Sequence, residues 1–213
     1  MSENKAKLFV VSAPSGCGKG TILSEVIKAK NFHYSVSCTT RQPRDGEVDG
    51  VNYYFISQDK FEQMIEQNEF LEHARFASNY YGTPAKAVKD SLEKGIDIVL
   101  EIETKGAFQV KEAMPEAVLI FILPPSVKEL KRRLYKRGTE EDDVIEKRVS
   151  KAVGEIQQAY KYDYVIMNDG LEDAIADFVK VYDSARNGTP EADEHKPDVE
   201  KTKNMIDEVL ENA

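Results

Sequence analysis

Ser12-Ala13-Pro14-Ser15-Gly16-Cys17-Gly18-Lys19-Gly20-Thr21 follows directly on the apolar run Leu8-Phe9-Val10-Val11. A strand, a glycine-containing turn, a lysine and then a helix is the order in which backbone N–H groups wrap an anionic phosphate, with the helix N-terminus adding positive potential. Lys19 would reach the outer phosphates as a point charge. The stretch departs from the pattern G-x-x-x-x-G-K-[ST] at Ala13, where the first glycine stands, and at Gly20, where a hydroxyl stands; Thr21 follows one residue late. The simpler alternative is an ordinary strand-to-helix turn with a surface lysine, and the flanks argue against it. Leu8 to Val11 suits a parallel strand buried on both faces. Behind the loop, Ile22, Leu23, Val26 and Ile27 put one apolar stripe toward a sheet, in a helix expected to end near Asn31. Together these make a strand-loop-helix unit of an α/β fold.

The chain has 213 residues, enough for one domain with a real core and mobile subdomains. Its net charge of -9 argues against general nucleic-acid or anionic-membrane binding, so a nucleotide must be met by local positive charge. The first seven residues, Met1-Ser2-Glu3-Asn4-Lys5-Ala6-Lys7, lack an apolar signal core, and no apolar run approaches a membrane span. A cytoplasmic location is the expectation. Only Cys17 and Cys38 are present, without Cys/His spacing suited to zinc, so neither a disulfide framework nor a structural metal is indicated.

From about residue 35 to 89 the chain becomes rich in Tyr, Phe, Arg and Gly, with turn signals at Pro43, Asp45-Gly46 and Asp49-Gly50. It reads as an inserted subdomain. Val51-Asn52-Tyr53-Tyr54-Phe55-Ile56 is expected as a strand, Phe61, Met64 and Ile65 as a helix face, Glu69 to Phe76 as a second strand, and Tyr80-Tyr81-Gly82-Thr83-Pro84 as a turn into a further helix. The α/β alternation resumes with Ile96-Asp97-Ile98-Val99-Leu100-Glu101-Ile102-Glu103, a strand whose spacing of two would set Glu101 and Glu103 on one face. Ala117 to Leu123 is another apolar strand, ended by Pro124-Pro125. A basic helix follows from Ser126, and an acidic stretch, Glu140 to Asp143, opens a helix with Ile145, Val149, Ala152 and Ile156 inward, which would serve as a lid. Tyr164-Val165-Ile166-Met167 is the last strand, with a closing helix through Phe178 and Tyr182. Residues 187–199 are expected to be an extended polar linker, and 200–211 a short surface helix.

A phosphate loop implies a nucleotide without separating a kinase from an ATPase or a switch protein. Within the insertion, Thr39-Thr40-Arg41-Gln42-Pro43-Arg44 sets two arginines three apart beside a turn. Tyr53 and Tyr81 follow, which together could grip a second phosphate. Guanine offers a carboxylate two donors, N1–H and the N2 amino group, and its O6 needs a donor; Glu72, Ser37 and Thr83 supply those types. Such residues abound in any chain, so the chemistry alone does not assign them. His33, His73 and His195 are scattered, with no Ser-His-Asp set.

The stretches Ser12 to Lys19, Ser37-Cys38-Thr39-Thr40-Arg41-Gln42-Pro43-Arg44 and Asn79-Tyr80-Tyr81-Gly82-Thr83 together closely resemble guanylate kinases. Phe121-Ile122-Leu123-Pro124-Pro125-Ser126, Arg137-Gly138-Thr139 and Val165-Ile166-Met167-Asn168-Asp169 extend the resemblance from about Leu8 to Arg186. It implies a P-loop kinase core with a parallel sheet flanked by helices (residues 1–34 and 90–186), a helical lid at about 137–160, a mixed α+β GMP-binding insertion (35–89) and a polar tail (187–213). It implies transfer of the γ-phosphoryl group of ATP to GMP, with dGMP as a further acceptor, and with insertion and lid moving together on binding. ATP would lie on Ala13, Pro14, Ser15, Gly16, Cys17, Gly18, Lys19, Gly20 and Thr21, with Asn168 on the adenine side. GMP phosphate contacts fall on Arg41, Arg44, Tyr53 and Tyr81, and guanine contacts on Ser37, Glu72, Thr83 and Glu103. Lys19, Arg44, Arg137 and Arg148 would carry catalysis by neutralising charge.

Three departures stand out. Glu101 and Glu103 replace the two aspartates of many relatives, and Thr83 replaces a serine while keeping the hydroxyl. Gly20 removes the usual hydroxyl ligand of Mg²⁺, so Mg²⁺ accompanying ATP would be held by phosphates and waters, with Glu101 the candidate acting through water. The rival readings are a kinase for another nucleoside monophosphate and a catalytically inactive guanylate-kinase-like module that binds phosphopeptides. Composition assigns no oligomeric state.

Overall fold

The computed structural model describes residues 5–30, 32–76, 78–138 and 141–211, apart from the side chains of Phe76, Arg137, Val199, Lys201 and Met205. The expected helix end at Asn31, the motif residue Thr139 and the start of the acidic stretch at Glu140 lie outside the described residues. The elements run β1 (Leu8–Ser12), α1 (Lys19–Ala29), β2 (His33–Tyr34), β3 (Cys38–Thr39), β4 (Tyr54–Phe55), α2 (Gln58–Glu66), β5 (Phe70–Phe76), β6 (Asn79–Pro84) and α3 (Ala85–Glu93). They continue with β7 (Ile98–Glu101), α4 (Thr104–Ala113), β8 (Val118–Leu123), α5 (Val127–Arg137), α6 (Asp142–Ile156), β9 (Tyr164–Met167), α7 (Leu171–Asn187) and α8 (Val199–Glu211). They form two compact units: Met1–Val10 with Asn31–Ala117, and Val11–Lys30 with Val118–Ala213.

In the second unit the strand order is β1-β8-β9. All six residues of β8 are buried, and β9 pairs with it in parallel from Ile120↔Tyr164 to Leu123↔Met167. A strand with no polar alternation is one covered on both faces, and the helices supply the cover. Ile22, Leu23 and Val26 of α1 and Ala174, Phe178 and Val181 of α7 are buried, as the apolar spacing requires. Ser126 caps α5 by accepting the Glu129 N–H at 3.0 Å. The C-terminal segment differs from the expected extended linker. It holds a short 3₁₀ turn at Asp193–His195, and Ala192 is buried. The helix α8 buries Thr202, Ile206 and Val209 instead of lying on the surface, because its apolar residues recur at helical spacing.

In the first unit β2 and β7 pair in parallel, His33↔Ile98 and Tyr34↔Val99, with β1 on the other side of β7. A second sheet has the order β4-β3-β6-β5. Two of its strands, at one end, form a hairpin, and this overturns the expected turn over residues 80–84: Asn79–Pro84 is β6, paired antiparallel to β5 from Phe76↔Asn79 to Phe70↔Pro84. The aromatic and β-branched residues there pack as a strand, while Gly82 serves close approach, since a Cβ on it would lie 2.9 Å from Phe70. Phe61 of α2 stacks on Phe70, with centroids 4.3 Å apart, and on Tyr80 at 5.2 Å. The strand expected over 51–56 shrinks to Tyr54–Phe55, because side chains take the neighbouring backbone donors. Asn52 accepts the Val48 N–H at 2.9 Å, and Asp49 the Phe55 N–H at 2.8 Å, holding a turn in place of a ladder. Sequence reading did not anticipate α4, which buries Gly106, Ala107 and Val110. Its N-cap is Glu103, so β7 ends at Glu101 and the two carboxylates do not share a strand face. Among the described residues no helix is long and apolar enough to cross a membrane.

Candidate functional site

The loop after β1 is shaped by its glycines and tied down by one asparagine. Cys17 N–H donates to Pro14 O at 3.1 Å, and Gly16 and Gly18 sit at φ 94° and 88°, which side chains rarely adopt. A Cβ on Gly18 would also lie 2.6 Å from Asn168 Nδ2. That amide donates to Cys17 O at 2.6 Å, while the Asn168 backbone N–H donates to Leu123 O at 2.8 Å, so the end of β8 anchors the loop. Helix α1 begins at Lys19 with Gly18 as N-cap and no side-chain cap, the arrangement in which first-turn N–H groups face an anion. Gly20 and Thr21 are exposed at its start. Arg148 of α6 donates from Nη1 to Ser15 Oγ at 2.7 Å, which brings a cation from the expected lid to the loop. The side chain of Arg137 lies outside the described residues.

Sequence reading passed over Arg133, one turn before Arg137 on α5. Its Nη1 and Nη2 both donate to Asn168 O at 3.3 Å, and Glu129 accepts its Nε at 2.8 Å. The signal was the spacing of four from Arg137. Cys17 is buried with Sγ donating to Ile122 O at 3.4 Å; burial pushes its thiol up to about 12 against the pull of Arg133 and Lys19, so it is a packed residue and not a nucleophile.

The first unit assembles two clusters. In one, the β5–β6 register sets Glu72 opposite Thr83, and the Thr83 hydroxyl donates to Glu72 Oε1 at 2.7 Å. Glu72 is only 5% exposed. Burial pushes its carboxyl up and the charge of Glu103 adds to that, while hydrogen bonds from Thr83 oppose it. Gly106, in the first turn of α4, has room for nothing larger: a Cβ there would lie 2.5 Å from Glu72 Oε2. Gln109 clips α4 to β5, accepting the His73 N–H at 3.1 Å and donating to His73 O at 3.2 Å, a contact no sequence signal announced.

In the other cluster, the Arg41 guanidinium lies 5.5 Å from the Tyr53 ring centre and 5.7 Å from that of Phe55. The rings of Tyr53 and Tyr81 meet edge-on at 6.0 Å. Glu47, another residue missed in sequence, accepts from both terminal nitrogens of Arg41 at 2.9 Å. Arg44 is exposed, and its backbone N–H donates to Glu47 Oε2 at 2.7 Å. Ser37 is half-buried, its carbonyl accepting the Tyr54 N–H at 2.9 Å; among the described contacts its hydroxyl joins neither cluster. Glu101 accepts from the Tyr34 hydroxyl at 2.6 Å, and burial with that carboxylate pushes the phenol up.

The donor set does not form a protein cage for a metal. Gly20 offers no hydroxyl, one oxygen of Glu101 is held by Tyr34, and among the described residues no group of three His, Cys, Asp or Glu side chains is arranged to hold an ion.

Comparison with known proteins assigns the chain to a family. A family model described as guanylate kinase matches residues 5–185. A guanylate kinase of Clostridioides difficile is 52% identical over 188 residues, spanning 88% of this chain and 92% of the relative. One from Thermus thermophilus is 48% identical over 186 residues, 87% of this chain and 83% of the relative. The crystal structure of guanylate kinase from Anaplasma phagocytophilum superposes with a TM-score of 0.73 at 31% identity, over 94% of both chains. The chain belongs to the guanylate kinase family.

Proposed function

We propose that the protein is an ATP:GMP phosphotransferase that moves the γ-phosphoryl group of ATP onto GMP, giving ADP and GDP, and acts in the cytoplasm. The observation that carries the reading is the buried Glu72–Thr83 pair beside Glu103, in the same unit as the Arg41, Tyr53 and Tyr81 cluster. A carboxylate faces the N1–H and N2 amino donors of guanine, which adenine and the pyrimidines do not present together. The Thr83 proton is committed to Glu72, so its lone pairs are what it offers the N2 amino group, and the donor to O6 falls to Ser37. Arg41, Arg44, Tyr53 and Tyr81 then hold the GMP phosphate.

ATP would lie on residues 13–21, with Asn168 shaping the loop and also facing the adenine side. The attacking oxygen of GMP is already ionised and needs no general base, so catalysis is positioning and charge neutralisation by Lys19, Arg44, Arg137 and Arg148. Mg²⁺ would supply charge neutralisation on the ATP phosphates and would be bound by them and by water. The residues 35–89 form the GMP-binding part and 137–160 the lid. A coupled assay should detect ADP formation dependent on both GMP and ATP. Saturable phosphopeptide binding without turnover would replace this reading with that of a binding module.

A further inference from the structure

Arg41 presents five N–H donors, and three of them have partners within its own loop. Nη1 donates to Gln42 O at 2.7 Å and to Glu47 Oε2 at 2.9 Å, and Nη2 donates to Glu47 Oε1 at 2.9 Å. Glu47 thus takes the fork between the two terminal nitrogens, which leaves the second fork, Nε–H with the other Nη2–H, as the edge for a phosphate. The same carboxylate accepts the Arg44 N–H at 2.7 Å, and the Glu47 N–H donates back to Arg44 O at 3.0 Å. One acid therefore ties the Arg41 guanidinium to the Arg44 backbone. An exposed ion pair would contribute little, but this one is two-pronged, carries a third hydrogen bond, and has side chains only 15% and 18% exposed.

We propose that Glu47 is a positioning residue for the GMP phosphate, acting through Arg41 and the turn at Arg44 and touching no substrate itself. The proposal rests on the reading of Arg41 as a phosphate ligand. A simple electrostatic role has the opposite sign: a carboxylate beside a phosphate dianion repels it, so removing that charge would tighten GMP binding, whereas removing a positioning contact weakens it.

The experiment is steady-state kinetics of Glu47→Gln, Glu47→Asp, Arg41→Met and the double variant Glu47→Gln/Arg41→Met, with ATP affinity measured separately. Glu47→Gln should lower kcat/KM for GMP about tenfold to a hundredfold, the range of a lost outer contact that orients a ligand. ATP affinity should stay unchanged, Glu47→Asp should recover part of the loss, and adding Glu47→Gln to Arg41→Met should cost less than Glu47→Gln costs alone, since only the turn at Arg44 is left for Glu47 to hold. Unchanged or higher kcat/KM for GMP in Glu47→Gln, or full additivity with Arg41→Met, overturns the proposal. Absence of GMP phosphorylation by the unaltered protein would instead overturn the assigned activity, so the two failures are distinct.

Discussion

The loop at residues 12–21 and the insertion are both proposed to hold an anionic nucleotide, but they are built in opposite ways. The loop is ten consecutive residues whose backbone does the work, through two left-handed glycines, an uncapped helix start and an asparagine on a loop carbonyl. The insertion works through side chains drawn from residues 37–83 and from the start of α4, brought together by strand register and a close-packed glycine. The difference teaches that phosphate, common to every nucleotide, can be held by backbone geometry. A base must be read by side chains whose buried charge is costly to hold.

The strongest way to break this contrast is Lys19→Met. If the loop supplies charge stabilisation in the transition state, turnover should fall by about two to three orders of magnitude with the thermal midpoint kept; near-normal turnover would sink the assignment. Glu72→Gln comes next: losing hydrogen bonds from guanine to a charged group should lower kcat/KM for GMP roughly tenfold to a hundredfold, with ATP affinity unaffected. The third is Gly18→Ala, which forces a side chain into a left-handed conformation and against the Asn168 amide. It should cost about 1–3 kcal/mol of stability and weaken ATP, leaving GMP binding intact.

The smallest effect tests the cost of the buried acid. Burial raises the folded-state pKa of Glu72 above its ordinary 4.5. Its contribution to stability is therefore fully present below that value and is lost as pH rises through the folded-state pKa. Glu72→Gln lacks this loss, so its melting temperature should gain on the unaltered protein as pH is raised. Parallel melting curves from acid to neutral pH would show that the carboxylate is not under strain.

The same contrast decides what could be read in advance. The strand-loop-helix unit was legible because its signals are local: four apolar residues, a glycine turn and a stripe at Ile22, Leu23 and Val26, all within one short stretch. The strand at Tyr164–Met167 came out with its observed bounds for the same reason. Glu72 and Thr83 are eleven residues apart and meet only through hairpin register, so chemistry alone proposed them and family resemblance assigned them. The hairpin strand at residues 79–84 was misread because Gly82 and Pro84 imitate a turn, when pairing with β5 overrides them. Glu47, Gln109 and Arg133 were missed because each holds another part of the candidate site, Arg41, the β5 backbone next to Glu72 and Asn168 in turn, and such a side chain in a polar stretch looks like any solvated one. The tail was misjudged by its polar composition, although Thr202, Ile206 and Val209 recur at helical spacing and are buried.

The central claim is that one half of the molecule reads a guanine base through Glu72 while the other holds phosphate without regard to base. The acceptor profile with ATP tests it most directly, as kcat/KM for GMP, dGMP, IMP, AMP and UMP. GMP and dGMP should lead, IMP should fall behind for want of the N2 amino group, and AMP and UMP should fall furthest; AMP or UMP equal to GMP would contradict the claim.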